Sequence, residues 1–227
     1  MPQHGFARTK LWTLMETSCG PNEGALTFRL VHDEHTLSVF PHRFEIFYVV
    51  KATNKTLNCT LKIRNLDTAP WRCQTLLHTY FKLDVLSATT VSGFNSISYH
   101  DKTQNGAVFV DSDVAHSFTG EVDRVYIAVS TDEIPDICID LSPVDKLVIS
   151  KSAELVLSVE GTHALVPVDT VLWNPWIEKS RALVDLPDTG YLSFVCVEPG
   201  IVASGVEIPV GAELTFSQEL RHIYTPI

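Results

Sequence analysis

Apolar and polar positions alternate with a period of two through most of the chain. In residues 57–64 every odd position (Leu57, Cys59, Leu61, Ile63) is apolar and every even one polar, the mark of a strand with one wet face. The apolar run 44–50 precedes it, and Asn54-Lys55 is placed to turn the chain between the two, so a hairpin is predicted. Strand patterns recur at 25–31, 75–83, 124–129, 155–159, 191–197 and 214–220, separated by Gly, Pro, Asn and Asp. Residues 137–167 read as an extended hairpin. One short helix is predicted over 176–183, opening after Pro175 and closed before Pro187. Many strands and few helices predict an all-β protein, a sandwich or barrel, and without repeats or Gly/Ser-rich linkers residues 1–227 read as a single domain.

The same alternation sorts the candidate chemistry. In 191–200, Phe194, Cys196 and Glu198 share one face and Val195 and Val197 the other, so a carboxylate follows an apolar row just before a Pro199-Gly200 turn. Glu198 is either a base whose pKa is raised by partial desolvation or a group facing solvent where the strand ends. His78 lies in a stretch with Leu76 and Tyr80 on one face and Leu77, Thr79 and Phe81 on the other, a strand buried on both sides. It is a satisfied core histidine or a proton donor in a pocket wall. The other histidines, His32, His35, His42, His100, His116, His163 and His222, read as solvated.

Three further segments carry candidates. Gln3-His4-Gly5-Phe6-Ala7-Arg8, followed by Trp12, places a glycine where backbone can approach a ligand and an arginine that can hold an anion through its planar fork of donors. Asp123 lies among the alternating charges of 121–126, which read as the wet face of a strand. Trp173 and Trp176 flank Asn174-Pro175 and either floor a sugar site or plug the core.

Composition narrows the setting. A chain of 227 residues that is 45% apolar can bury a core, and its apolar runs are strand-sized, too short for a spanning helix. The first residues lack a signal-peptide pattern, which predicts a cytoplasmic protein. Cys19, Cys59, Cys73, Cys138 and Cys196 are scattered and show no metal-ligand spacing, so they read as reduced thiols, and the sequons at Asn54 and Asn58 read as chance. A net charge of −10 argues against nucleic acid and anionic membranes. A phosphate-bearing ligand would need a local cluster of cations.

Collinear segments 3–8 (QHGFAR), 77–81 (LHTYF), 99–102 (YHDK), 121–126 (EVDRVY), 171–180 (VLWNPWIEKS) and 191–200 (YLSFVCVEPG) resemble the hexose-6-phosphate mutarotase branch of the aldose 1-epimerase superfamily. That resemblance implies a large antiparallel β-sandwich of the galactose-mutarotase type, acting on a sugar phosphate as a cofactor-free, metal-free monomer. It implies His78 as general acid, Glu198 as general base, and Gln3, His4, Arg8 and Asp123 as substrate-binding residues, with Arg8 on the phosphate. Trp12, Trp173 and Trp176 would shape the pocket. Relatives carry further strands and an Arg-Gly-Gly segment ahead of QHGFAR, so a sandwich lacking its opening strands is expected, with sheet edges left to pair. The same resemblance leaves two other expectations: a sugar-phosphate-binding protein without catalysis, and a mutarotase for unphosphorylated aldoses.

Overall fold

A computed structural model describes residues 4–131, 135–157 and 162–225. The strands in chain order are β1 (Thr13–Cys19), β2 (Glu23–Val31), β3 (Phe44–Thr53), β4 (Thr56–Asn65), β5 (Trp71–Leu76), β6 (Tyr80–Lys82), β7 (Thr90–Ser92), β8 (Ser98–Asp101), β9 (Ala107–Val110), β10 (Ala115–His116), β11 (Val122–Tyr126), β12 (Ile137–Asp140), β13 (Asp145–Val156), β14 (His163–Leu165), β15 (Asp169–Asn174), β16 (Phe194–Ile208) and β17 (Glu213–Tyr224). Among the described residues two short α-helices, α1 (Glu34–Val39) and α2 (Trp176–Ala182), interrupt them. Among the described residues no helix is long and apolar enough to cross a membrane.

The chain forms two compact units. The first holds the described residues within Met1–Cys73, Ser152–Val166 and Gly205–Glu219, and the second those within Gln74–Lys151, Pro167–Ser204 and Leu220–Ile227.

In the first unit β1, β2, β3 and β4 form an antiparallel meander, with β17 beside β4. The hairpin predicted around Asn54-Lys55 is present: Val50 lies opposite Cys59, and the Thr53 hydroxyl accepts the Lys55 and Thr56 N–H groups at the turn. Arg29 and Arg64 both meet Glu45, and Arg64 also meets Glu213, so opposite charges face each other across four neighbouring strands. Behind this sheet Phe6, Phe40, Phe44 and Trp71 pack as an aromatic cluster, with Phe6 stacked on Phe44 at 5.3 Å and Phe40 edge-on to Trp71 at 5.4 Å. Helix α1 was not anticipated. It is held by a capping box in which the Asp33 carboxylate accepts the Thr36 N–H and the Thr36 hydroxyl accepts the Asp33 N–H.

The second unit is a face-to-face sandwich. One layer runs β13-β12-β7-β10 and the other β16-β15-β11-β8-β9, with β6 also on β16. Val91, Ile137, Ile139 and Ile149 from the first layer meet Tyr99, Tyr126, Leu172, Val195 and Val197 from the second in one buried core. The predicted hairpin within 137–167 appears as β12 against β13, with Cys138 opposite Val148.

Several expected elements are corrected. Residues 75–83 are not one strand: the ladder breaks between β5 and β6, leaving Leu77, His78 and Thr79 outside it. Pro199-Gly200 is no turn, because β16 runs through it with Pro199 opposite Thr170 and Gly200 opposite Asp169. Residues 190–193 form a 3-10 turn ahead of β16, and β11 spans 122–126 rather than 124–129. The strand expected over 155–159 ends at Val156, and residues 158–161 lie outside the described residues. Helix α2 stands where the prolines placed it.

Candidate active site

Side-chain alternation along β16 carries Val195 and Val197 into the sandwich core and leaves Phe194, Cys196 and Glu198 on the opposite face. Neighbouring strands continue that face. Asp123 pairs with Trp173, Trp173 with Cys196 and Cys196 with Tyr80, forming one row across β11, β15, β16 and β6. The adjacent row is Val125, Val171 and Glu198.

His78 reaches this face because of a glycine. A Cβ at Gly200 would lie 2.7 Å from Thr75 O and 2.8 Å from Leu76 Cδ1, so only glycine lets the end of β5 lie against β16. Leu77 N–H then donates to Pro199 O at 3.0 Å, and Thr79 N–H donates to Leu77 O at 3.0 Å, closing a three-residue turn with His78 at its centre. The imidazole Nδ1 faces Glu198 Oε1 at 3.5 Å. Tyr80 stacks flat on it, with ring centres 4.9 Å apart and planes 9° apart, while Trp173 meets it edge-on at 5.9 Å. Phe194 packs on both Tyr80 and Trp173 and completes an aromatic shelf.

The two groups differ in exposure. The Glu198 side chain is 4% exposed and that of His78 26%. Burial pushes the Glu198 carboxyl up to about 8; nearby Lys102 opposes this and Asp123 reinforces it. Glu198 is therefore buried in mid-strand, where solvent exposure at a strand end had been one reading. His78 is half-buried in a turn, where a strand buried on both faces had been expected.

Two lysines complete the electrostatics. Lys179 Nζ lies 2.6 Å from Glu121 Oε1 and 3.4 Å from Asp123 Oδ2, and Lys102 Nζ lies 3.9 Å from Asp123 Oδ1. Both lie in motifs that the sequence singled out, but their partners are 21 to 58 residues away along the chain, which no local pattern encodes. Asn174 fixes the approach of Lys179: its amide donates to Tyr191 O and Phe194 O at 2.9 Å each, and its Oδ1 accepts the Trp176 N–H at the start of α2.

Thus His78, Glu198 and Asp123 come together in the second unit. His4 and Arg8 belong to the first, both exposed, with His4 at φ 63° and Arg8 in a 3-10 turn at Ala7–Thr9. Gln3 lies outside the described residues. Of the tryptophans, Trp173 joins the shelf, Trp176 packs against the core and Tyr191, and Trp12 donates its indole N–H to Ala7 O in the first unit. His116, expected to be solvated, is buried instead. Its Nε2 is 2.7 Å from Asp111 Oδ2, the same oxygen to which Tyr126 donates at 2.6 Å. A buried carboxylate of high proton affinity beside an accessible imidazole is an arrangement suited to paired proton transfer.

A family model described as Aldose 1-epimerase matches residues 1–221. A "Putative glucose-6-phosphate 1-epimerase" of Cenchrus ciliaris is 29% identical over 221 residues, covering 94% of this chain and 62% of the relative. Its namesake in Escherichia coli K12 is 29% identical over 222 residues, covering 97% and 68%. Among solved structures, a "putative mutarotase" from Salmonella typhimurium has a TM-score of 0.81 at 26% identity, covering 99% of this chain and 69% of that one. A galactose mutarotase-like protein from Clostridium acetobutylicum, at 14% identity and TM-score 0.71 over 98% of this chain and 69% of that one, shares the sandwich fold. The chain thus spans 62% to 69% of the length of these relatives.

Proposed function

Because the chain belongs to the aldose 1-epimerase family, we propose that it interconverts the α and β anomers of hexose 6-phosphates by opening and reclosing the hemiacetal ring. The observation that carries this reading is the 3.5 Å approach of His78 Nδ1 to Glu198 Oε1. The two oxygens that exchange protons, the C1 hydroxyl and the ring oxygen, are bonded to the same carbon, so an acid and a base serving both must themselves be close neighbours.

In the forward direction Glu198 removes the proton from the C1 hydroxyl while protonated His78 gives one to the ring oxygen; the C1 to ring-oxygen bond breaks and leaves an open-chain aldehyde. Rotation about C1–C2 presents the other carbonyl face, and closure returns both protons to their starting groups. Each positioned proton transfer contributes about 10² to 10⁴ in rate. The aromatic cluster of Tyr80, Trp173 and Phe194 offers apolar ring surface for the sugar C–H groups, and Asp123 accepts sugar hydroxyls. Gln3 and His4 are assigned to the sugar and Arg8 to the 6-phosphate on the strength of the matched motif.

The substrate assignment draws on the names of the relatives and is tested by polarimetry. Freshly dissolved α-glucose 6-phosphate should reach anomeric equilibrium faster in the presence of the protein, and Arg8→Ala should raise KM for it without raising KM for glucose. Equal turnover of glucose and glucose 6-phosphate, indifferent to Arg8→Ala, would assign the chain to unphosphorylated aldoses. A folded chain that accelerates neither would be a binding protein.

A further inference from the structure

Cys196 has no part in that chemistry, yet it lies under the acid and the base. One ligand atom each from His78, Cys196 and Glu198 lies within 4.8 Å of the other two. His78 Nδ1 and Glu198 Oε1 are already 3.5 Å apart. Tetrahedral zinc bonds sulfur at about 2.3 Å and nitrogen or oxygen at about 2.0–2.2 Å, which sets its ligand atoms roughly 3.3–3.7 Å from one another. A closure of about 1 Å by the remaining atoms therefore completes three corners of a tetrahedron. The geometry points to a thiophilic divalent-cation site formed by His78, Cys196 and Glu198, in which Zn²⁺ binds reversibly and occupies the space between the acid and the base.

The donor set selects the metal. One thiolate, one imidazole and one carboxylate suit zinc, cobalt and cadmium, whereas magnesium and calcium require a shell of hard oxygens. On binding, Cys196 and Glu198 each give a proton to solvent, the sulfur coordinating as thiolate and Glu198 as carboxylate, while His78 coordinates as neutral imidazole. The neighbouring cation, Lys102, is matched by Asp123 at 3.9 Å. A second cluster of suitable ligands, Asp111, Asp113 and His116, does not compete on these terms. Tyr126 donates into Asp111 Oδ2, and Arg124 Nη1 stands 3.9 Å from the same oxygen, so a positive group already serves it.

Binding is independent of the epimerase reading and is measured without turnover. Titration of the folded protein with Co²⁺ should give thiolate-to-cobalt charge-transfer absorption at one equivalent, displaced by Zn²⁺ and not by Mg²⁺. Cys196→Ser should abolish the band, and His78→Ala should weaken binding by at least tenfold, since even outer-shell changes at metal sites cost about 10 to 100-fold. His78 lies in a half-exposed turn, so its variant tests the site even where the serine at the buried position fails to fold. No band in the folded parent, unchanged affinity in His78→Ala, or a band persisting in Cys196→Ser and therefore arising from Cys19, Cys59, Cys73 or Cys138, would overturn the site. Should cobalt bind as stated while the metal-free protein leaves anomer exchange unchanged, the epimerase reading alone fails. Should both hold, micromolar Zn²⁺ inhibits and a chelator restores the rate.

Discussion

Glu198 is held in a state that works against folding at alkaline pH. Its carboxyl is moved by burial from an ordinary 4.5 to about 8, so between those two values the folded chain keeps a proton that the unfolded chain has lost. The contribution is fully present below about pH 4.5 and is lost as pH rises through about 8, amounting to a few kcal/mol. Glu198→Gln removes the ionisation while preserving shape. We expect the variant to exceed the parent by about 5 kcal/mol in urea unfolding near pH 9 and to match it near pH 4, the magnitude following from the shift. The same ionisation governs the base: kcat/KM should climb with pH toward about 8, and a flat profile below that value would remove Glu198 from the proton transfer.

At the scale of elements, the site depends on a contact between β5 and β16. Gly200→Ala would drive a methyl into Thr75 O and Leu76, displace the Leu77–Thr79 turn and move His78 off Glu198. A loss of about 1–3 kcal/mol is expected in denaturant unfolding, as for other overpacked sites, together with a fall in kcat. Asn174→Ala should cost more, about 2–5 kcal/mol, because it leaves one buried and one part-buried carbonyl and the first N–H of α2 without this partner. Unchanged urea midpoints in either variant would contradict these assignments.

These contacts also mark what the sequence could and could not reveal. Period-two alternation found β2, β4 and β17, and the apolar run 44–50 found β3; alternation also placed Cys196 and Glu198 on the face opposite Val195 and Val197, because that property is local to one strand. It misread 75–83 as continuous and Pro199-Gly200 as a turn, since the first depends on β5 meeting β16 more than a hundred residues along the chain and the second on β16 continuing its pairing with β15. Helix α1 is too short for periodicity to register, and only Asp33 and Thr36 announced it. His116 reads as solvated, yet Asp111, five residues before it, and Tyr126, ten after, close on its ring in the buried interior. His78 and Glu198 became paired candidates through motif resemblance; their approach required coordinates.

Across the whole molecule, membership of the aldose 1-epimerase family and the antiparallel sandwich give the site its setting, while a net charge of −10 leaves recognition of a phosphate to local cations. The chemistry proposed here uses side chains alone, so exhaustive dialysis against a chelator should leave anomer exchange undiminished, and a rate restored only by added metal would contradict it. The most direct test of the pair is anomer-exchange NMR on equilibrated glucose 6-phosphate, with the parent chain and the folded Glu198→Gln and His78→Ala variants compared at one pH. Enzyme-dependent exchange between the α and β C1 protons should appear with the parent and fall by about 10² or more in each variant. Exchange that persists undiminished in either variant, or is absent with the folded parent, would contradict an acid and base formed by His78 and Glu198.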